Sequence, residues 1–394
     1  MSQSSMTNTT PSVPGPLTLL GLDAVHFFVG NLSRARRFYQ HRLDFDEVAQ
    51  STLDTSHHDE MESIVYQAGD ARLMFSAPLS GRSRAARYLR RHPDSAAELI
   101  LRVRDLDRTY QVLSERDATL ITERIETRTE AGPARYFVIA TPLGDTNITF
   151  LERPDGPFVP PGFRVTGSAR EKNPLGISGV DHITSNMRVL RPWIDFLRDT
   201  LGFEPYWKVA FHTNDLRPDL KTGTGLRSIV MWEPFSGLKF ANNEPLRPHF
   251  EKSQIAIFCS DNHGPGVQHV ALSLPNICQS VAELRRRSIE FLRTPGTYYD
   301  ALPERLRGQG VPSIREPMAE LRKLGIQVDG NHEGYLLQIF MKDASLYYQD
   351  PAAGPFFLEL IQREGARSFG EGNFRALFEA IEREQTGENN HPAQ

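Results

Sequence analysis

The chain has 394 residues, 39% of them hydrophobic and 9% aromatic, enough to build two domains of roughly 150 to 200 residues each. Its charged residues, 24% of the total, nearly balance at a formal net charge of -4, which excludes both the basic excess of a nucleic-acid binder and the acidic excess of a solvating tail. No apolar run approaches the ~20 residues that cross a bilayer, and the two cysteines, Cys259 and Cys278, exclude a disulfide framework and fit a reducing, cytoplasmic setting.

Residues 1–18 are polar and read as a disordered leader, with neither the basic start nor the apolar segment of a signal peptide. From Gly21 the chain reads as a strand, a loop, an amphipathic helix around Phe38 and Tyr39, and a return strand. A second unit begins at 98–103, runs into a helical pattern over 105–115, and ends in strands at 136–139 and 147–152. Pro, Gly and charge then crowd residues 154–178, which read as a linker between an N-terminal domain, 19–153, and a C-terminal domain, 179–385.

After the linker the order repeats. Gly179-Val180-Asp181-His182 echoes the run from Gly21 to His26, and Leu201-Gly202-Phe203 echoes Leu43-Asp44-Phe45. The run 269–274 stands where 98–103 stood and leads into a helical pattern over 276–287. Strands at 336–340 and 356–360 close the half. Phe374, Leu377, Phe378 and Ile381 then form one apolar stripe of a closing helix, 371–385, before a disordered tail at 386–394. Ordered agreement across both halves implies duplication. The predicted class is mixed α+β, with curved sheets made from paired βαβββ units.

His182, His269 and Glu359 fall in predicted strands of successive units of the second half. Two imidazoles and one carboxylate are the facial triad of non-haem Fe(II) oxygenases, which leaves the opposite face open for substrate and oxygen. A histidine in an apolar strand is more often a satisfied core residue. Glu359 is sharper evidence, because it sits among Phe356, Phe357, Leu358 and Leu360, where a carboxylate needs a partner. In the first half, His26 and Glu152 read as the corresponding residues, but Glu98 stands in the place of His269, so a metal is expected only in the C-terminal half. Cys259 and His263 form a conceivable metal pair, outweighed by their reading as ordinary buried residues.

At these residues the chain resembles the 4-hydroxyphenylpyruvate dioxygenase family, with 4-hydroxymandelate synthase as a near neighbour. The likeness runs from about residue 20 to 385 and is carried by 179–182, 252–255, 266–271, 294–299, 336–340, 357–359 and 369–374. It implies two vicinal-oxygen-chelate (glyoxalase/dioxygenase-like) domains with open-barrel sheets, Fe(2+) held by His182, His269 and Glu359, and a homo-oligomer, dimer or tetramer. It also implies a substrate pocket made by Ser228, Asn243, Gln254, Gln268, Gln338, Phe340, Phe357, Asn373 and Phe374. The implied partners are an aromatic 2-oxoacid and dioxygen, with no nucleic acid and no membrane. The implied reaction decarboxylates 4-hydroxyphenylpyruvate, hydroxylates its ring and moves the side chain to give homogentisate.

Asn243 and Phe374 match the dioxygenase rather than the synthase, which hydroxylates the benzylic carbon instead. Val230, Trp232, Ala241, Asn242, Ser368 and Phe369 are the candidates for specificity. Of these, Trp232, Ala241, Asn242 and Ser368 depart from the family pattern and leave room for a modified arylpyruvate, since a close analogue is separated by only about 1 to 3 kcal/mol. A glyoxalase-like or extradiol enzyme and a catalytically silent aromatic-ligand-binding protein are the rival readings. The first would not need the glutamine and Asn373-Phe374 pocket set, and the second would not need an intact triad.

Overall fold

The computed structural model describes residues 15–167, 173–212, 224–247, 250–367, 369–370 and 372–373. The first half supplies β1 (Leu19–Phe28), β2 (Asp46–Ser51), β3 (Met61–Ala68), β4 (Ala71–Pro78), β5 (Ser95–Val103), β6 (Ile125–Thr129), β7 (Gly132–Ile139), β8 (Asn147–Glu152) and β9 (Phe163–Val165). They lie in the order β6-β7-β8-β5-β1-β4-β3-β2-β9. The second half supplies β10 (Gly179–Asn186), β11 (Glu204–His212), β12 (Gly225–Trp232), β13 (Lys239–Pro245), β14 (Gly266–Ser273), β15 (Gln327–Asn331), β16 (Gly334–Phe340) and β17 (Phe357–Glu364). Their order is β11-β12-β13-β10-β14-β17-β16-β15.

Reversed, and with β9 set aside, the second order is the first with each strand replaced by its repeat. Each half is two βαβββ units joined through one antiparallel pair, β1 with β5 and β10 with β14. This is the curled, α+β vicinal-oxygen-chelate fold.

Helices cover the outer faces. Asn31, Asp105 and Asn276 cap Leu32–Tyr39, Leu106–Glu115 and Ile277–Arg286, each side-chain oxygen accepting the backbone N–H three residues on at 2.9 to 3.1 Å. In the last of these helices Ile277, Val281 and Leu284 are buried at i, i+4 and i+7, so one stripe lies on the sheet. Each such side chain contributes about 1.5 to 3 kcal/mol on full burial. The outer layers of both halves merge into one core, in which the Phe27 and Phe356 rings meet at 4.7 Å. Most of the packing is thus handled outside the sheets, with a smaller apolar cluster around Ala24, Ile100 and Phe158 on the inner face of the first.

Register corrects the matching of the two halves. Ala24 pairs with Ile100 and Ile100 with Thr149, while His182 pairs with Ala271 and Ala271 with Glu359. His26 pairs with Glu98, while Thr184 pairs with His269. The first-half residues in the places of His182, His269 and Glu359 are therefore Ala24, Glu98 and Thr149. His26 is the counterpart of Thr184, and Glu152 that of Gln362.

Two contacts outside the ladders agree. Arg153 binds Asp23 at 2.6 and 2.7 Å, and Arg363 binds Asp181 at 2.7 and 2.8 Å. Glu152 accepts the N–H of Leu106 at 2.7 Å, and Gln362 that of Ile277 at 2.8 Å. For His26 the sequence matching fails because sliding a strand by two residues keeps every side chain on its face, so alternation alone cannot detect it, whereas Glu152, three residues from Thr149 and on the opposite face of β8, matches Glu359 in residue type alone.

Other expectations change in detail. Phe163–Val165, inside the segment read as linker, pairs with β2, and Phe158, Val159 and Phe163 are buried against the first sheet. Leu17, read as leader, joins the main core. Helices at Gln254–Asp261, Gly296–Gly308 and Met318–Leu324 were not anticipated from periodicity. Of the closing helix 371–385, only Gly372 and Asn373 are among the described residues, and the tail 386–394 lies outside them.

Candidate metal centre

Three neighbouring strands, β10, β14 and β17, build the site. His182, Ala271 and Glu359 form one row across them, and His269 lies two residues along β14 on the same face. Ala271, with only a methyl, leaves the space across which His182 and Glu359 approach each other. Nε2 of His182 and Nε2 of His269 each lie 3.2 Å from Glu359 Oε2. One ligand atom from each residue lies within 4.8 Å of the others, and all three residues are buried. This is the one such group of His, Cys, Asp and Glu found among the described residues. Cys259 and His263 do not form another: Cys259 is buried, and Nδ1 of His263 bonds the Arg91 carbonyl at 2.9 Å.

The far ring nitrogens are held from behind. His182 Nδ1 lies 2.8 Å from Asp181 Oδ1, and both oxygens of Asp181 accept from the Nε–Nη2 edge of the Arg363 guanidinium. His269 Nδ1 lies 3.2 Å from Gln268 Oε1, whose amide in turn donates to Gln254 Oε1 at 3.1 Å. With Nδ1 carrying the proton, each Nε2 lone pair points at the common space beside Glu359.

Charge is arranged to match. Burial would raise the Glu359 carboxyl, but His182 and His269 outweigh it and hold it below the usual range. Burial would likewise raise Asp181, yet Arg363 and His182 hold it well below normal. Burial pulls His182 down, but Glu359 and Asp181 raise it overall, while for His269 burial prevails and lowers it. With neutral imidazoles, Arg363 offsets Asp181 behind the site, and the buried Glu359 carboxylate brings a negative charge to the two Nε2 atoms. Two nitrogen donors, a carboxylate oxygen, fixed outer partners and that negative charge fit a divalent transition metal.

Beyond the triad the inner face of the sheet divides into two rows. Asn186, Asn243 and Ser228 pair across β10, β13 and β12 as a polar row. Thr184, Ala241 and Val230 form the next row, closer to the triad. Asn243 donates to Asn186 Oδ1 at 3.0 Å, but Asn243 Oδ1, Asn186 Nδ2, Ser228 Oγ and Thr184 Oγ1 are buried with no hydrogen-bond partner among the described residues. Leaving one such group unpaired costs about 1 to 3 kcal/mol. Four of them on one face beside the triad describe a surface built for a polar ligand.

On the other side of the triad, the Phe357 ring stacks on His269 at 4.8 Å, and the Phe340 ring stands 5.9 Å from it. Gln338 is buried two residues from Phe340 on the same strand face. Val230 and Ala241 pack with Phe369, whose ring is 4.9 Å from His182, and Trp232 meets Tyr206 at 5.0 Å. Asn373 is buried, its Oδ1 accepting from Tyr298 Oη at 2.7 Å while its Nδ2 has no partner among the described residues.

Asn242 is not brought to this face. It points from the opposite side of β13, accepts from Trp193 Nε1 and Ser185 Oγ, and donates to two backbone carbonyls. Ser368 and Phe374 lie outside the described residues. Sequence reasoning passed over Asp181, Arg363, Thr184 and Asn186 as site residues. Asp181 carried a signal, as the repeated aspartate of the Gly179 and Gly21 motifs. Asn186 carried a weaker one, as the asparagine that follows its motif at a spacing similar to that of Asn31, while Arg363 and Thr184 become visible only once the strands are paired.

Fold and site together define a duplicated vicinal-oxygen-chelate protein in which one half carries a convergent His/His/Glu set. The family model described as Glyoxalase/Bleomycin resistance protein/Dioxygenase superfamily matches residues 21–147 and 179–302, one match in each half. A 4-hydroxyphenylpyruvate dioxygenase from Dictyostelium discoideum is 32% identical over 376 residues, covering 93% of this chain and 98% of its own. Another, from Caenorhabditis briggsae, is 34% identical over 385 residues, covering 95% and 94%. A solved structure of a triple mutant of 4-hydroxymandelate synthase from Streptomyces coelicolor matches with a TM-score of 0.78 at 27% identity, covering 93% of this chain and 99% of that one. The chain belongs to this superfamily and, within it, to the 4-hydroxyphenylpyruvate dioxygenase family.

Proposed function

We propose that the chain is an Fe(II)-dependent dioxygenase that converts 4-hydroxyphenylpyruvate and dioxygen to homogentisate and carbon dioxide. The observation that carries this reading is the convergence of His182, His269 and Glu359 beside four unpaired buried polar atoms. Bound there, Fe(II) supplies the Lewis-acid and redox chemistry that joins oxygen to a chelating 2-oxoacid.

The protein's own residues do the rest. Asp181 with Arg363, and Gln268 with Gln254, hold the two imidazoles in the tautomer that presents Nε2. Ser228, Asn243 and Asn186 offer a hydroxyl and amides to a polar substrate group, satisfying atoms that otherwise lack partners. Phe340, Phe357, Val230, Ala241 and Phe369 give apolar walls that flank an aromatic ring and exclude water. Gln338, Asn373 and Phe374 complete the proposed pocket, with Trp232 and Ser368 as specificity positions. A cytoplasmic homo-oligomer belongs to the same reading, and the two free, buried cysteines support the reducing setting.

The likeness to 4-hydroxymandelate synthase favours a second reading, in which oxygen enters the benzylic carbon. Anaerobic Fe(II) loading, addition of 4-hydroxyphenylpyruvate and oxygen, and identification of products by mass spectrometry separate the two. Homogentisate is the expected product, and 4-hydroxymandelate selects the second reading. Failure of the protein to bind Fe(II), or unchanged binding in His269→Ala, overturns both.

A further inference from the structure

The first barrel has lost the triad but kept an interior. Behind β1, β5 and β8 lies a cavity of about 710 Å³, within the size range of small-molecule pockets. Its floor is polar and closed on itself. His26 bonds Glu98 at 2.8 Å and Ser76 at 2.7 Å, Ser76 bonds Ser63 at 2.6 Å, and Thr149 donates to Glu98 at 2.5 Å. Both nitrogens of His26 and both oxygens of Glu98 are in use, so this floor is not a set of free metal ligands. Its walls are apolar, with Met74, Ile100, Val138, Leu151, Phe158 and Phe163 around the space.

Two polar groups at the cavity remain open. The Tyr136 hydroxyl has no hydrogen-bond partner among the described residues. Arg84 reaches Glu98 only through Nη1, at 3.4 and 3.5 Å, leaving its Nε and Nη2 donors without partners among those residues. Arg84 also lines an outer cleft with Arg87, Arg90 and Arg91, against the single carboxylate of Asp145, which takes Arg91 at 3.3 Å, so that side of the mouth is positive on balance. Asp54 and Asp59 stand across it, but both are exposed and screened by water, whereas the Arg84 guanidinium is partly withdrawn from solvent.

We propose that this first-barrel cavity binds a small aromatic carboxylate, its ring held by the apolar walls and its carboxylate by Arg84. A carboxylate fits the forked donors of a guanidinium, and the open Tyr136 hydroxyl adds a partner inside. The ligand is bound and not transformed, since the places of His182 and Glu359 are taken by Ala24 and Thr149. Ile100, in the place of Ala271, occupies the space that the metal site leaves clear. The inference does not depend on the reaction carried out in the second barrel.

Titration calorimetry of the full-length, Fe(II)-loaded protein with phenylacetate tests this, with phenylacetamide as the uncharged counterpart. Wild type is expected to bind phenylacetate, and the amide about tenfold more weakly, the worth of one charge-assisted hydrogen bond. Arg84→Gln should lose a similar factor, and Ile100→Trp, which fills the cavity, should abolish binding. Val230→Trp, which fills the second barrel instead, should leave it unchanged. Metal stoichiometry and thermal unfolding show that each variant folds, and should Ile100→Trp not fold, Arg84→Gln and the amide carry the test. No binding by wild type at millimolar phenylacetate, or binding that survives Arg84→Gln and disappears in Val230→Trp, overturns the proposal.

Discussion

Asp181→Ala and Asp23→Ala form a matched pair of perturbations, because the duplication places the same buried ion pair in both halves and a candidate metal in only one. Asp181 holds Arg363, whose side chain is 18% exposed, and Asp23 holds Arg153, at 6%. Removing either carboxylate leaves a buried guanidinium with backbone carbonyls but without its counter-charge, at a cost of up to about 3 to 5 kcal/mol. That is a large share of the roughly 5 to 15 kcal/mol that stabilises a domain, so both variants should unfold at markedly lower urea.

They should part company on metal. Asp181 alone orients an imidazole whose Nε2 faces Glu359, and loss of such an outer partner weakens metal binding about 10- to 100-fold. Asp23 precedes Ala24 and touches no ligand. Urea unfolding of the metal-free proteins gives the first quantity, and anaerobic Fe(II) titration at low temperature gives the second. Equal loss of affinity in both variants, or none in Asp181→Ala, would refute the reasoning. The milder Asp181→Asn and Asp23→Asn give the same contrast if an alanine variant does not fold.

Two further outcomes follow from the first half. Burial would raise the Glu98 carboxyl, but Arg84, His26 and Thr149 together hold it far below the ordinary range. A group depressed in the folded state adds stability that is complete above its unfolded pKa, about 4.3, and is lost as pH falls toward the folded value. The stability gap between wild type and Glu98→Gln should therefore shrink on acidification below about pH 4, as followed by urea unfolding. A gap that widens there contradicts the assignment. The strand register makes a bolder forecast: the combination Ala24→His, Glu98→His and Thr149→Glu, with Ile100→Ala to clear the space that Ala271 leaves in the second half, rebuilds the triad in the first barrel, where Asp23 and Arg153 already stand ready behind it. Metal analysis should rise from one equivalent to two. A folded variant that still holds one shows that these rows are not equivalent.

Much of this was legible in the chain. The echo of Gly21 and Asp23 in Gly179 and Asp181, and the strand–helix–strand order around them, announced duplication and a mixed α+β class, because both rest on local periodicity and spacing. Glu359 stood out for a local reason too, as a carboxylate set among large apolar residues. The residues behind the site were not legible. Arg363 serves Asp181 from 182 positions away, and nothing near either residue says so. Asn242 shows the opposite error, since it neighbours two inward residues yet its amide turns out to Trp193.

What sequence alone determined, then, is which residues have the chemistry for a His/His/Glu centre and that the fold is built twice. Tertiary structure decided which first-half residues occupy the triad's places. Strand alternation has a period of two, so His26 and Ala24 are indistinguishable by facing, and only the hydrogen-bond register of β1 against β5 and of β10 against β14 tells them apart. The same register aligned Asn186, Asn243 and Ser228 into one polar row, which keeps a donor, an acceptor and a hydroxyl unused among the described residues, and placed Ala271 where His182 and Glu359 needed room to meet. These are relations between strands distant in the chain, and they come into being only when the sheet closes.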